Sequence, residues 1–310
     1  MSGTDPRAKL EATLRALQAA RAAAEQAERA GRAQRAAADA AAIAAKHEML
    51  ADRGPSARDR HEHMATLHRR NEACQRAAAR MLSTFSQSLQ RWATRPDTDG
   101  SLRPVLMGAV AATVGWEGAV LTLSGLSGTE TLVAASDSTT RRAHELEMTL
   151  AEGPMWEAMH GHTTTAHDGG LDTQWPRFGP AVRGLGVQAL AAVPLRLGTD
   201  EPSGCLTVMG HRQPRSTRDQ WSLRDVAEAL SLTVLGDRAA RKPGSMTSAV
   251  LPTFEAEDLQ PTLHQAAGAL TERCGWDVND AIALIRAQAY AEDRSVSDVA
   301  EDVLNGSLLP

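Results

Sequence analysis

The sequence predicts an α+β chain in three parts: a long N-terminal α-helical hairpin or coiled coil, a central antiparallel sheet with helices, and a C-terminal three-helix bundle. Three observations carry this expectation. A proline-free run of strong helix formers leads into a heptad pattern, short strand-like runs punctuated by Gly and Ser follow between Gly118 and Met209, and the last fifty or so residues repeat their apolar positions at helical spacing. At 310 residues with 42% hydrophobic content the chain is long enough for several cores. The expected divisions are residues 1–95, 96–241, a linker at 242–254, and 255–310.

The first helix, about Arg7 to Asp52, is built of Ala, Arg, Glu, Gln and Leu, with Gly31 the one glycine. Its apolar stripe opens with Leu10, Leu14 and Leu17 and passes into alanines, which suit a close interface but bury little area each, so a partner helix is required. At Arg53-Gly54-Pro55-Ser56, Gly54 ends the first helix, Pro55 prevents its continuation, and Ser56 is placed to cap a second helix with Asp59 three residues on. A helical hairpin follows.

The second helix, about Ala57 to Trp92, places Met64, Leu67, Asn71, Cys74, Ala78, Met81, Phe85, Ser88 and Trp92 at alternating spacings of three and four. That is a heptad seam, with Asn71 at a position where a buried amide fixes register. It predicts a parallel homodimer along Met64, Leu67, Asn71, Cys74, Ala78, Met81 and Phe85. The alternative is an intrachain bundle in which the same stripe packs on the first helix. His61, His63 and His68 raise the question of a metal site. His61 and His68 share a face but lie roughly 10.5 Å apart along the axis, too far to chelate one ion within a helix, so none is expected.

After a linker at 93–101 comes a short helix (Leu102 to Val114), then strands at 118–123 and 131–135 joined by the turn Ser124 to Thr129. Further strands are expected at 163–166, 187–197 and 204–209, before an amphipathic helix from about Thr217 to Arg238. The C-terminal part reads as helices from Glu255 to Cys274, Asn279 to Glu292 and Val296 to Leu304, with Asp277 and Ser295 as N-caps and Gly275 in a turn.

Composition excludes several classes. No run approaches the ~20 apolar residues of a membrane span, and the N-terminus lacks the apolar stretch of a secretory signal, so a cytoplasmic, non-membrane protein is expected. Cys74, Cys205 and Cys274 have no disulfide-framework or metal-type spacing, and no cofactor is predicted. No nucleophile, metal or phosphate-loop constellation is present, and His167 and Asp168, as neighbours on a strand, point to opposite faces. An enzyme is not expected. Charge is segregated: residues 1–95 carry 17 Lys and Arg against 10 Asp and Glu, whereas 255–310 carry 3 against 11.

The stretch Glu152-Gly153-Pro154-Met155-Trp156, with Trp175-Pro176-Arg177-Phe178, Gly186 to Leu195 and Gly204-Cys205-Leu206, resembles the GAF domains of actinobacterial regulators over about residues 102–240. The resemblance implies a six-strand-type sheet with a small-molecule pocket under its loops. Met155 stands where many relatives carry a cysteine, so thiol-based sensing there is lost. Aromatic side chains on Gly/Pro-punctuated loops can independently wall such a pocket, which makes Met155, Trp156, His167, Trp175 and Phe178 its candidate lining. The plainer alternative is that Trp156 and Trp175 plug the open side of the sheet.

The string His264 to Leu270, then Asp280-Ala281, Leu284-Ile285-Arg286, Ala289-Tyr290-Ala291, Arg294-Ser295-Val296 and Asp298 to Val303, resembles an ANTAR domain. That resemblance implies binding to paired stem-loops in RNA transcripts and transcription antitermination. Candidate RNA-binding residues are Arg286, Tyr290, Arg294 and Arg273, and a unit of net charge −8 needs its arginines gathered on one face to meet a phosphate backbone. Arg273, near a helix end, also suits that helix's C-terminal dipole. The combined expectation is a signal-responsive, RNA-binding antitermination regulator with a sensor and a coiled-coil dimer. The alternative is a scaffold or signalling adaptor whose acidic tail binds a protein partner or the basic N-terminal helices. Those helices are themselves a candidate protein-docking region.

Overall fold

The computed structural model describes residues 6–95, 103–124, 131–167, 169–196, 201–213, 222–235, 261–292 and 294–307. They fall into two compact units. The first contains α1 (Pro6–Arg53), α2 (Arg58–Ala93), α3 (Leu106–Val114) and most of α8 (Leu223–Leu235). The second contains a five-stranded sheet, four helices around it and the C-terminal bundle. The inter-part linker at 242–254 and the start of the helix expected at Glu255 lie outside the described residues, as does most of the linker at 93–101. No helix among the described residues is long and apolar enough to cross a membrane.

In the first unit α1 and α2 form the expected hairpin, joined by a 3-10 turn at Pro55–Ala57. Ala57 precedes α2 without a side-chain cap, so Ser56 does not take the capping role expected of it. The interface on α1 is a heptad of alanines: Ala19, Ala23, Ala30, Ala33, Ala37, Ala40, Ala44 and Ala51 are all buried, with Gln26 filling one seam position. Leu14 and Leu17 are exposed. Small side chains let two helices approach closely, so the seam runs through the alanines and not through the leucines that open the sequence pattern. α2 answers with Ala65, Glu72, Leu82, Ser86 and Leu89, all buried. Ser86 donates to the Ala23 carbonyl at 2.7 Å, and Glu72 receives Arg69 and Arg76.

The second unit's sheet is antiparallel throughout, in the order β2 (Thr131–Ala135), β1 (Gly118–Ser124), β5 (Gly204–Gly210), β4 (Ala189–Leu195), β3 (Thr164–His167). The sheet has five strands among the described residues, where the GAF resemblance implies six. Leu206 of the central strand sits opposite Leu121 on one side and Val193 on the other. Every residue of β5 is buried, as expected of a strand covered on both faces.

The stretch between β2 and β4, which shows no periodicity in the sequence, is largely helical: α4 (Ser138–Leu150), α5 (Pro154–Met159), α6 (Gly170–Gln174) and α7 (Phe178–Gly184). α4 escapes an apolar-pattern reading because its buried face is polar, comprising Thr140, His144, Glu145 and Glu147 beside Ala143 and Leu150. Its start is nonetheless chemically specified, since Asp137 accepts from the Thr140 amide. The bundle consists of α9 (Pro261–Cys274), α10 (Val278–Ala291) and α11 (Val296–Leu304). Asp277 caps α10, Ser295 caps α11, and Gly275 takes a positive φ at the turn. Leu263, Leu270, Ile285, Val299 and Val303 meet in a core of the bundle's own.

Candidate functional site

One face of the sheet carries α5 and the turn before it. Gly153 has φ 147°, and a Cβ there would lie 2.5 Å from Glu147 Oε1. The missing side chain lets the turn close over the Glu147 carboxyl, whose Oε1 accepts the Met155 amide at 2.5 Å. Glu147 is fully buried, and desolvation pushes its pKa up to about 8, with nearby Glu157 adding to the rise. Met155 and Ala158 of α5 pack on Ala192 and Cys205 of the sheet, with Met148, Trp156 and Met159 at the margin. Burial raises the Cys205 thiol to about 12, which leaves it an unreactive packing residue.

Of the five residues expected to line a pocket, Met155, Trp175 and Phe178 are buried in apolar cores and Trp156 is partly buried. Trp175 and Phe178 sit edge to face, 6.1 Å between ring centroids, inside a core with Leu171, Val182, Leu190 and Met209. The Trp175 indole N–H donates to Glu157 at 3.0 Å, and that of Trp156 donates to the Glu147 carbonyl at 3.2 Å. Met155 is buried, and the side chain of His167 lies outside the described residues. Trp156 and Trp175 therefore plug the sheet, because each indole finds both apolar cover and a partner for its N–H. An open hollow of about 550 Å³ lies elsewhere, lined by Gly169, Pro180, Arg183, Gly184 and Gln188 and sharing none of the five.

The expected cationic face of the bundle is dispersed. Arg294 is held by Asp302 at 2.6 Å and Glu292 at 3.0 Å. Arg286 is half-buried against α4, where burial works against its charge and Glu145 supports it. Arg273 is exposed at the end of α9. Tyr290 is 54% exposed on α10 and Leu284 is 42% exposed. Among the described residues, acidic neighbours thus hold Arg294 while Arg286 lies against α4.

The predicted dimer seam is split. Cys74, Ala78, Met81 and Phe85 are buried within the chain, on a helix that packs against α1 and α3. Arg70 pairs there with Glu228 of α8, and burial beside Glu228 raises the Cys74 thiol to about 12. Residues so covered are not available to a second chain. Met64 (37%), Leu67 (46%) and Asn71 remain exposed beyond this contact. The hairpin also brings in a residue that the single-helix argument leaves out: His47 of α1 sits between His61 and His68, its Nδ1 2.9 Å from that of His61 and its ring stacked on His68 at 5.8 Å. Among the described residues no group of three or more His, Cys, Asp or Glu is arranged to hold a metal ion.

Among the described residues the central module is a five-stranded antiparallel sheet with helices between its strands. Residues 101–234 match the family model of the GAF domain, and this part of the chain is a GAF domain. Among solved structures, a domain described as belonging to a two-component sensor histidine kinase protein of Sinorhizobium meliloti 1021 is similar at 14% identity. The match covers 43% of this chain and 89% of that one, with a TM-score of 0.31. No curated protein matches the chain.

Proposed function

We propose that the chain is a non-enzymatic, signal-responsive regulator in which the GAF domain is the sensor, the C-terminal bundle the output, and the helical hairpin the pairing element. The observation that carries this reading is a direct link between sensor and bundle: Glu145 on α4 accepts the backbone N–H of Val296, the first residue of α11, at 3.1 Å. A change at α4, which also touches β1, β2 and α7, has a path to the output.

The target assigned to that output is structured RNA, as in antitermination. Support comes from the ANTAR-like sequence pattern and from the exposed Tyr290 and Leu284, since unpaired bases stack on aromatic and apolar side chains. A homodimer through Met64 and Leu67 would present two bundles to an RNA with two stem-loops and raise avidity without new contacts. The test is binding of the full chain to a two-stem RNA between ~50 and ~200 mM salt, with the solution mass measured on the same sample. Binding that weakens with salt, on a species of twice the chain mass, is expected. Absence of binding at every salt overturns the RNA assignment.

A second reading, the adaptor, is favoured by one observation. Residues 255–310 carry 3 Lys and Arg against 11 Asp and Glu, a surplus of negative charge that suits a cationic protein surface. Retention of a protein partner by a chain that binds no RNA would select it.

A further inference from the structure

α4 carries two adjacent buried polar residues that packing of the GAF core does not require. Glu145 is 5% exposed and gives Oε2 to the Val296 amide. That amide is one of the four that a helix start leaves without an intrahelical partner. The helix's own cap, Ser295, is engaged with the Asp298 amide at 3.0 Å. A carboxylate at this position is also favoured by the helix dipole.

The same carboxylate is what offsets the burial of Arg286 on α10. One side chain of α4 therefore bonds the start of α11 and lies near the guanidinium on α10. Next to it His144 is 2% exposed, and both of its ring nitrogens lack a hydrogen-bond partner. Burial, with Arg286 and Arg141 nearby, holds it neutral at a pKa of about 3. A permanent interface does not ordinarily leave a buried imidazole with two unpaired nitrogens beside a desolvated guanidinium, because each forfeits hydration. Arg286 regains water as soon as α10 leaves α4, so this joint is suited to opening.

We propose that Glu145 is a latch: it holds the bundle on the sensor helix in a closed state that masks Arg286, and displacement of α4 frees the bundle with Arg286 presented to a polyanion. The closed state and its opening stand on the geometry alone. The last clause rests on the RNA reading given above.

Hydrogen exchange on the full chain tests both parts. Glu145→Gln keeps the size and an acceptor oxygen but removes the charge, and Glu145→Asp keeps the charge one methylene short. In Glu145→Gln, exchange at the Val296 amide and along α10 is expected to quicken roughly tenfold, within the range of a helix-terminal charge interaction, while exchange in β1, β4 and β5 stays unchanged. Glu145→Asp should fall between the two. The same samples are titrated with a two-stem RNA. Affinity should rise about fivefold in Glu145→Gln, and the gain should vanish on adding Arg286→Ala. Unchanged exchange at Val296 in both variants overturns the latch, as does acceleration spread equally over the sheet. Should Glu145→Gln fail to fold, Glu145→Asp decides by the same readout. Local opening without any RNA affinity sustains the latch and removes the RNA reading.

Discussion

Gly153 and Glu147 share one site: the glycine, at φ 147°, leaves the space that the Glu147 carboxyl fills. An alanine there is strained by its backbone and meets Oε1, Cγ and Cδ of Glu147 within 2.9 Å. Gly153→Ala should lower stability by about 1–3 kcal/mol, read as a shift in the denaturant midpoint. A wild-type midpoint would show that the turn has room to give.

The same carboxyl makes stability depend on pH. Glu147 titrates near 8 when folded and near 4.5 when unfolded. The native state therefore binds the extra proton, and the stability it confers is complete below pH 4.5 and lost as pH rises toward 8. The slope is at most about 1.4 kcal/mol per pH unit for one proton. Glu147→Gln mimics the protonated form and should remove this slope between pH 5 and 8 in denaturant melts. A parallel pair of pH profiles would contradict the burial.

The hairpin should behave in the opposite sense. Desolvation and the neighbouring His61, His68 and Lys46 hold His47 below its ordinary value, so the unfolded chain takes the proton first. That contribution is present above pH 6.5 and lost as pH falls through the lowered value. Charging His47 also removes its Nδ1 as an acceptor in the His47–His61 hydrogen bond. The thermal midpoint followed by helical circular dichroism should fall on acidification from pH 7 to 5. The fall should be smaller in His47→Leu; an equal fall would place the effect elsewhere.

The two halves of the α2 stripe predict different outcomes for similar truncations. Met81 is fully buried between helices, and Met81→Ala should cost about 2–4 kcal/mol. Leu67 is half exposed, and Leu67→Ala should change monomer stability by less than about 0.5 kcal/mol. Under the proposed pairing Leu67→Glu keeps the helical spectrum while the solution mass falls to that of one chain. A variant that keeps double mass excludes this patch from the contact.

Arg294 sits between two acids at the surface, so Arg294→Ala should weaken the bundle by no more than about 1 kcal/mol. Its RNA affinity should match the wild type, since the guanidinium is already engaged. A selective loss of RNA binding would restore Arg294 as a contact residue.

Elements marked by punctuation are legible from the chain alone. Gly54 and Pro55 announce the hairpin turn, Asp277 and Ser295 the starts of α10 and α11, and alternating apolar runs the strands. Each of these signals is a local conformational preference. α4 is illegible because a helix that buries His144, Glu145 and Glu147 has no apolar stripe to read, and its polar groups make sense only beside the Met155 and Val296 amides. His47 is missed for the same reason: its neighbours come from another helix.

Local chemistry by itself determined the helical hairpin, the antiparallel central module and the closing bundle, because helix formers, caps, glycines and period-two runs act over a few residues. Tertiary structure decided which side of α2 is covered, that the loop aromatics fill the sheet face, and that Arg286 rests on the sensor while Arg294 rests on its own bundle. Those outcomes depend on which charges and surfaces distant segments bring within a few ångströms of one another, and spacing along the chain carries no record of that.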